Sequence, residues 1–137
     1  VRELIEPEVV RLFALTATGE RLERMDDALR EFERASSEGL HPVQLILATT
    51  AFYEVMFEGC GNEILADILR GLLARVNLLR SRSMSRPGRP KESLKEMREI
   101  LSRIRDEDVS GAQKAAIAHI RNARVQAKAA MPASSAP

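Results

Sequence analysis

Residues 42–58 read PVQLILATTAFYEVMFE, and their apolar side chains fall on nearly every side of a helix: Val43, Leu45, Ile46, Leu47, Phe52, Val55, Met56 and Phe57. A helix that is apolar all round belongs at the centre of a domain, where other helices cover it. Gly59 and Gly61 end it. The flanking sequence supplies the cover. No stretch shows the strict apolar–polar alternation of a half-buried strand, whereas apolar residues recur three and four apart almost everywhere, so the chain is predicted to be all-α with six helices.

Before the central helix, Ile5, Val9, Leu12 and Phe13 share one face of a first helix ending by Thr16, with Pro7 tolerable only near a first turn or a kink. Thr18 has the chemistry of an N-cap for a second helix, along which Leu22, Met25, Leu29 and Phe32 form one stripe. Ser36, Ser37 and Gly39 close it. After the central helix, a fourth starts at Asn62 or a neighbour and runs to about Ser81, with Leu65, Ile68, Leu72 and Leu79 as its stripe. Gly71 within it weakens the helix by about 1 kcal/mol relative to Ala and suggests a close helix approach. Residues 82–90, with Pro87, Gly88 and Pro90, read as the one long linker. A fifth helix carries Leu94, Met97, Leu101 and Ile104, and Asp108 can cap a sixth in which Ala112, Ala116, Ile120 and Ala123 face inward. The Ala, Ser and Pro residues of 129–137 read as a disordered tail, leaving 1–128 as the folded domain.

With 137 residues the chain holds one core, and with no Trp, one Tyr and four Phe that core is built mainly from Leu, Ile, Val, Met and Ala. Its 21 basic and 20 acidic residues give a net charge of +1, which offers no electrostatic case for nucleic acid or a membrane surface. Cys60 alone excludes an intrachain disulfide and a cysteine-based zinc site and suits a reducing compartment. No run approaches the ~18 apolar residues of a membrane span, and no signal peptide opens the sequence. A cytoplasmic protein without membrane contact is expected, and a chain starting at Val1 directly in helical sequence reads as a fragment.

Function is sought where polar residues interrupt the apolar stripes, because a buried polar group without a partner costs a few kcal/mol. Arg75 lies three after Leu72 and four before Leu79, a phase that aims its guanidinium inward toward an anion. His119 lies among Ala112, Ala116 and Ala123, small residues that leave room for a pocket beside the imidazole. Thr49 and Tyr53, four apart on the central helix, project hydroxyls from one face. Plainer alternatives stand beside each: a hydrogen-bonded core histidine, an Arg75 paired with a neighbouring carboxylate, ordinary packing at Thr49 and Tyr53, and core filling by Met97. The basic run Arg80, Arg82, Arg86, Arg89 and Lys91 lacks aromatics and a helix-turn-helix context, so it reads as a solvated loop. No phosphate loop, nucleophile triad or cofactor motif is present, and the chain is expected not to be an enzyme.

Ile5-Glu6-Pro7-Glu8 with Arg11-Leu12, Thr18 to Leu22, Phe52-Tyr53 through Gly61-Asn62, the Ser83 to Arg89 linker, Glu92-Ser93-Leu94-Lys95-Glu96 and His119 follow one another in an order and spacing that resembles the FadR-type C-terminal domain of GntR transcription regulators. The resemblance implies an antiparallel bundle of six to seven helices around a central cavity. It also implies homodimerisation, a small-molecule effector, and operator DNA bound only through an N-terminal winged helix-turn-helix domain absent from this sequence. Many members of that family hold a divalent metal on an Asp and three His. Those positions fall here on Thr49, Tyr53, Met97 and His119, so three of the four ligands are replaced, and neither metal nor other cofactor is expected. The ligand-binding set expected is therefore Thr49, Tyr53, Arg75, Met97 and His119, lining a metal-free cavity for an anionic effector, a small organic acid or acyl compound. The alternative is a purely structural dimerisation module whose cavity Met97 and Tyr53 have filled. Apolar remnants on the first and fourth helices offer the dimer surface.

Overall fold

The computed structural model describes residues 1–130 and, among them, six helices and no strand: α1 (Arg2–Thr16), α2 (Gly19–Ser37), α3 (Pro42–Gly59), α4 (Glu63–Met84), α5 (Arg89–Arg105) and α6 (Val109–Ala129). The proposed tail at 129–137 lies, beyond Ala130, outside the described residues. Three starts follow from side-chain caps: Thr18 Oγ1 accepts from Arg21 N at 3.3 Å, Asn62 Oδ1 from Leu65 N at 3.0 Å and Asp108 Oδ1 from Gly111 N at 2.9 Å. Pro42 occupies the first turn of α3, where its missing N–H would have no helical partner anyway.

The α2–α3 and α5–α6 pairs are helical hairpins closed by turns at residues 38–41 and 106–108. The two hairpins meet through α2 and α5, while α1 lies against α3 and α6, and α4 bridges α3, α6 and α1. Phe13, Met25, Leu29, Phe32, Phe52 and Met56 are sealed at one end of the interior. Gly59 lets α1 come this close: a Cβ there would stand 2.7 Å from the Phe13 ring. Gly71, by contrast, is exposed and has no neighbour within 4 Å of an added Cβ, so the close approach expected at this glycine does not occur within the chain.

Three other expectations are corrected. Pro7 sits in the second turn of α1, which continues through it at the cost of one backbone hydrogen bond. The linker shrinks to residues 85–88, because Gly88 takes the left-handed conformation (φ +81°) and Pro90 falls in the first turn of α5, where it starts the helix. On α4 the buried positions are Ala66, Leu69, Leu73, Ser83 and Met84, with Val76 and Arg80 partly buried between them, while Ile68 is 46% exposed. The inward stripe is thus rotated by one residue, about 100°, from the Leu65–Ile68–Leu72–Leu79 line.

Candidate functional site

Opposite the aromatic end, the first turns of α1 and α5, the middle of α3 and the C-terminal halves of α4 and α6 line a half-open cavity of about 410 Å³. This lies within the ~300–1,000 Å³ usual for small-molecule sites. Its apolar wall includes Val76, Leu79, Met84, Ile120 and Ala123; its charged residues are Arg2, Arg80, Arg89, Arg124 and Lys128 against one carboxylate, Glu3. Glu3 is itself paired with Arg121 at 2.6 Å. A more open groove of about 500 Å³ runs outside α5 and α6, but Glu92, Glu96 and Glu99 share it with Lys95, and none of its lining atoms is a buried, unpaired polar group.

Two ion pairs and one lone guanidinium organise the polar wall. Arg89, 1% exposed, makes a bidentate contact with Glu96, both bonds at 3.0 Å. Glu96 also receives the His119 Nδ1–H at 2.6 Å and the Asn122 amide at 3.0 Å. Burial raises the pKa of Glu96, but its contacts with His119 and Arg89 outweigh this and hold it below the ordinary carboxylate value. Burial lowers His119 in spite of Glu96, so the imidazole is neutral at pH 7, with its proton on Nδ1 and a lone pair on Nε2. Glu6, also 1% exposed, pairs with Arg2 at 3.1 Å.

Arg80 differs from these. It makes no ion pair among the described residues; Asn77 Oδ1 is 3.5 Å away and the Tyr53 ring centroid 5.5 Å. Burial lowers its pKa, and Arg2 adds repulsion. A buried charge without a counter-ion is unfavourable, which makes the cavity a place for an anion. Two more buried polar atoms on the wall residues lack partners among the described residues, Arg89 Nε and Ser93 Oγ.

Of the five residues picked from sequence, Thr49 and His119 are on the cavity wall. Tyr53 lies one layer behind, under Arg80, with its buried hydroxyl unpartnered and its pKa raised first by burial and then by Glu6. Met97 is fully buried in the apolar core and is not part of the wall. Arg75 is exposed and outside the cavity, because the phase of α4 that buries Leu69 and Leu73 turns it to solvent and brings Arg80 in. Sequence reading missed Arg2, Arg80, Arg89, Ser93 and Glu96. Following the α5 stripe back from Met97 in steps of four leads to Ser93 and then Arg89, a signal that the apparent linker concealed.

The positions corresponding to the family's metal ligands do not form a donor set for a divalent ion. Thr49 Oγ1–H is spent on Leu45 O at 2.9 Å, Met97 is sealed in the core and Tyr53 stays protonated, which leaves the Nε2 of His119 as the one strong donor of the four, too few for a divalent ion. Among the described residues no three His, Cys, Asp or Glu side chains come together in a metal-binding group. No helix among them is long and apolar enough to cross a membrane.

No curated protein matches the chain. A family model, the FCD domain, matches residues 1–122, covering α1 to α5 and most of α6 with every wall residue except Ala123, Arg124, Ala127 and Lys128. The chain belongs to the FCD family, the C-terminal effector-binding domain of GntR-type transcription regulators such as FadR.

Proposed function

We propose that the cavity binds a small organic acid as effector, its carboxylate held by Arg80 and its aliphatic part against Val76, Leu79 and Ile120. The observation that carries this is the partly buried Arg80 guanidinium, facing a 410 Å³ void without a carboxylate of its own. The orphaned Arg89 Nε and Ser93 Oγ add hydrogen-bonding capacity, and the Nε2 lone pair of neutral His119 accepts from a hydroxyl on the same ligand. A void of this size weighs against a bundle whose interior has been filled to serve only dimerisation. In a GntR regulator the ligand then acts through differential affinity for two helix packings, and operator DNA is met through a separate DNA-reading domain.

Thermal unfolding against a panel of aliphatic carboxylates, hydroxy acids and neutral analogues tests this reading. An acid at 100 times its Kd stabilises by about 2.7 kcal/mol, a readily measured rise in Tm. Arg80→Met should abolish that rise and Arg75→Ala should leave it. An unaltered response in Arg80→Met, or stabilisation by the neutral analogues alone, would refute the proposal.

A further inference from the structure

The charges on the cavity wall do not balance. Among its cationic side chains, Arg2 is paired with Glu6 and Arg89 with Glu96, two carboxylates that lie behind the wall. The wall's own carboxylate, Glu3, is hydrogen-bonded to Arg121; it also feels the charge of Arg124, but only through space. Arg80, Arg124 and Lys128 are left without an ion pair among the described residues, and residues 131–137 contain no Asp or Glu. These three cations stand at two depths. Arg80 is partly buried over the Tyr53 ring, whereas Arg124 and Lys128 are exposed, one turn apart on α6, at the open side of the cavity. From the buried His119 to Lys128, α6 rises about 14 Å, and the wall residues along that run are the apolar Ile120, Ala123 and Ala127 together with Arg124.

We propose that the effector carries two separated acid groups on an aliphatic spacer: Arg80 holds the inner carboxylate of a dicarboxylic acid, and Arg124 and Lys128 hold the outer one. This rests on the organic-acid reading of the cavity and adds a second head to the ligand. A monocarboxylate neutralises one of the three unpaired cations and leaves Arg124 and Lys128 repelling each other across one helical turn. A single doubly charged head, such as a phosphate ester, reaches the inner cation or the outer pair but not both. The apolar run between them suits methylene groups. The two contacts differ in strength and in kind. The inner one is shielded from water and serves any acid, whereas the outer one is solvent-exposed, weaker and screened by salt, so it selects between one head and two. Arg124 and Lys128 lie past residue 122, where the family match ends, so the match does not extend to this second contact.

The test is isothermal titration of the full chain with the straight-chain diacids from succinate to suberate, their monomethyl esters and butyl phosphate. The best diacid should bind at least about fivefold tighter than its own monomethyl ester at low salt. That advantage should fall below about twofold in 1 M salt, where the Debye length is about 3 Å. Arg124→Ala combined with Lys128→Ala, both exposed positions, should bring the diacid down to the affinity of the ester and leave the ester within about twofold. Circular dichroism confirms that the double variant is folded. Arg80→Met should abolish binding of diacid and ester alike. Esters that bind through Arg80 as tightly as every diacid overturn the second head and leave the organic-acid reading standing. A double variant that weakens diacid and ester equally, or butyl phosphate bound more tightly than any diacid, also overturns it. Absence of any Arg80-dependent binding removes both readings.

Discussion

The two ends of the bundle interior follow opposite rules. At one end Phe13, Met25, Leu29, Phe32, Phe52 and Met56 fill space with no polar atom, tightly enough that a single Cβ at Gly59 would collide with a ring. At the other, Arg2, Arg80, Arg89 and His119 line a void, with Glu6 and Glu96 paired behind them, and three buried polar atoms lack partners among the described residues. The first arrangement gains free energy from close contact. The second forgoes some, which is what a site waiting for a ligand requires.

The largest effect expected from breaking this contrast is at the filled end. Phe32→Ala should destabilise by about 3–5 kcal/mol in denaturant unfolding, because the surrounding helices cannot collapse into the space. At the polar end, Glu96→Ala should cost about 3 kcal/mol by leaving the buried Arg89 with only the exposed Glu92, 3.8 Å away, but combining it with Arg89→Met should recover much of that loss. A double variant no better than the single would show that Glu96 matters through His119 and Asn122 instead.

The next effect is on pH dependence. Because burial lowers the His119 pKa, the unfolded chain takes up a proton before the folded one as pH falls below about 6.5. Stability from this group is therefore complete above that value and declines on acidification. The slope of Tm between pH 7 and 5.5 should flatten in His119→Gln, which keeps an N–H for Glu96 but cannot titrate. The lowered pKa of Glu96 adds its own decline below the ordinary carboxylate range, near pH 4.5, and His119→Gln should leave a decline there. The smallest effect belongs to Thr49→Val, within about 1 kcal/mol, since its hydroxyl bonds only the Leu45 carbonyl of its own helix. A larger loss would place Thr49 in the polar network.

The filled end was the more legible in sequence. Met25, Leu29 and Phe32 on one stripe, the buried Leu45, Ile46, Phe52, Val55, Met56 and Phe57 of α3, and caps at Thr18, Asn62 and Asp108 report local rules that the fold obeys, but α3 is not covered on every side: Val43 is 45% and Leu47 58% exposed. The polar end was harder for two physical reasons. On α4, Ile64, Ile68 and Leu78 put apolar residues on the outward face as well as the inward one, so periodicity alone could not choose the phase, and Arg75 took the place that belongs to Arg80. On α5, Pro87, Gly88 and Pro90 resemble a breaker cluster, whereas Pro90 sits in the first helical turn and carries the neighbouring Arg89 into the interior. Thr49 and His119 were found because their own helices have a single buried face there.

The α1–α6 contact joins residues far apart along the chain: Gln113 Nε2 donates to Pro7 O at 3.2 Å, and Arg121 reaches Glu3. Closing a loop of more than a hundred residues is slow and entropically unfavourable compared with forming the α2–α3 or α5–α6 hairpin. Arg2 and His119 lie on the two sides of that closure, so the cavity exists only when both ends of the domain are docked. A ligand held between them would act as a clasp. Amide exchange in the first turns of α1 should slow on binding by a larger factor than in the already local hairpins.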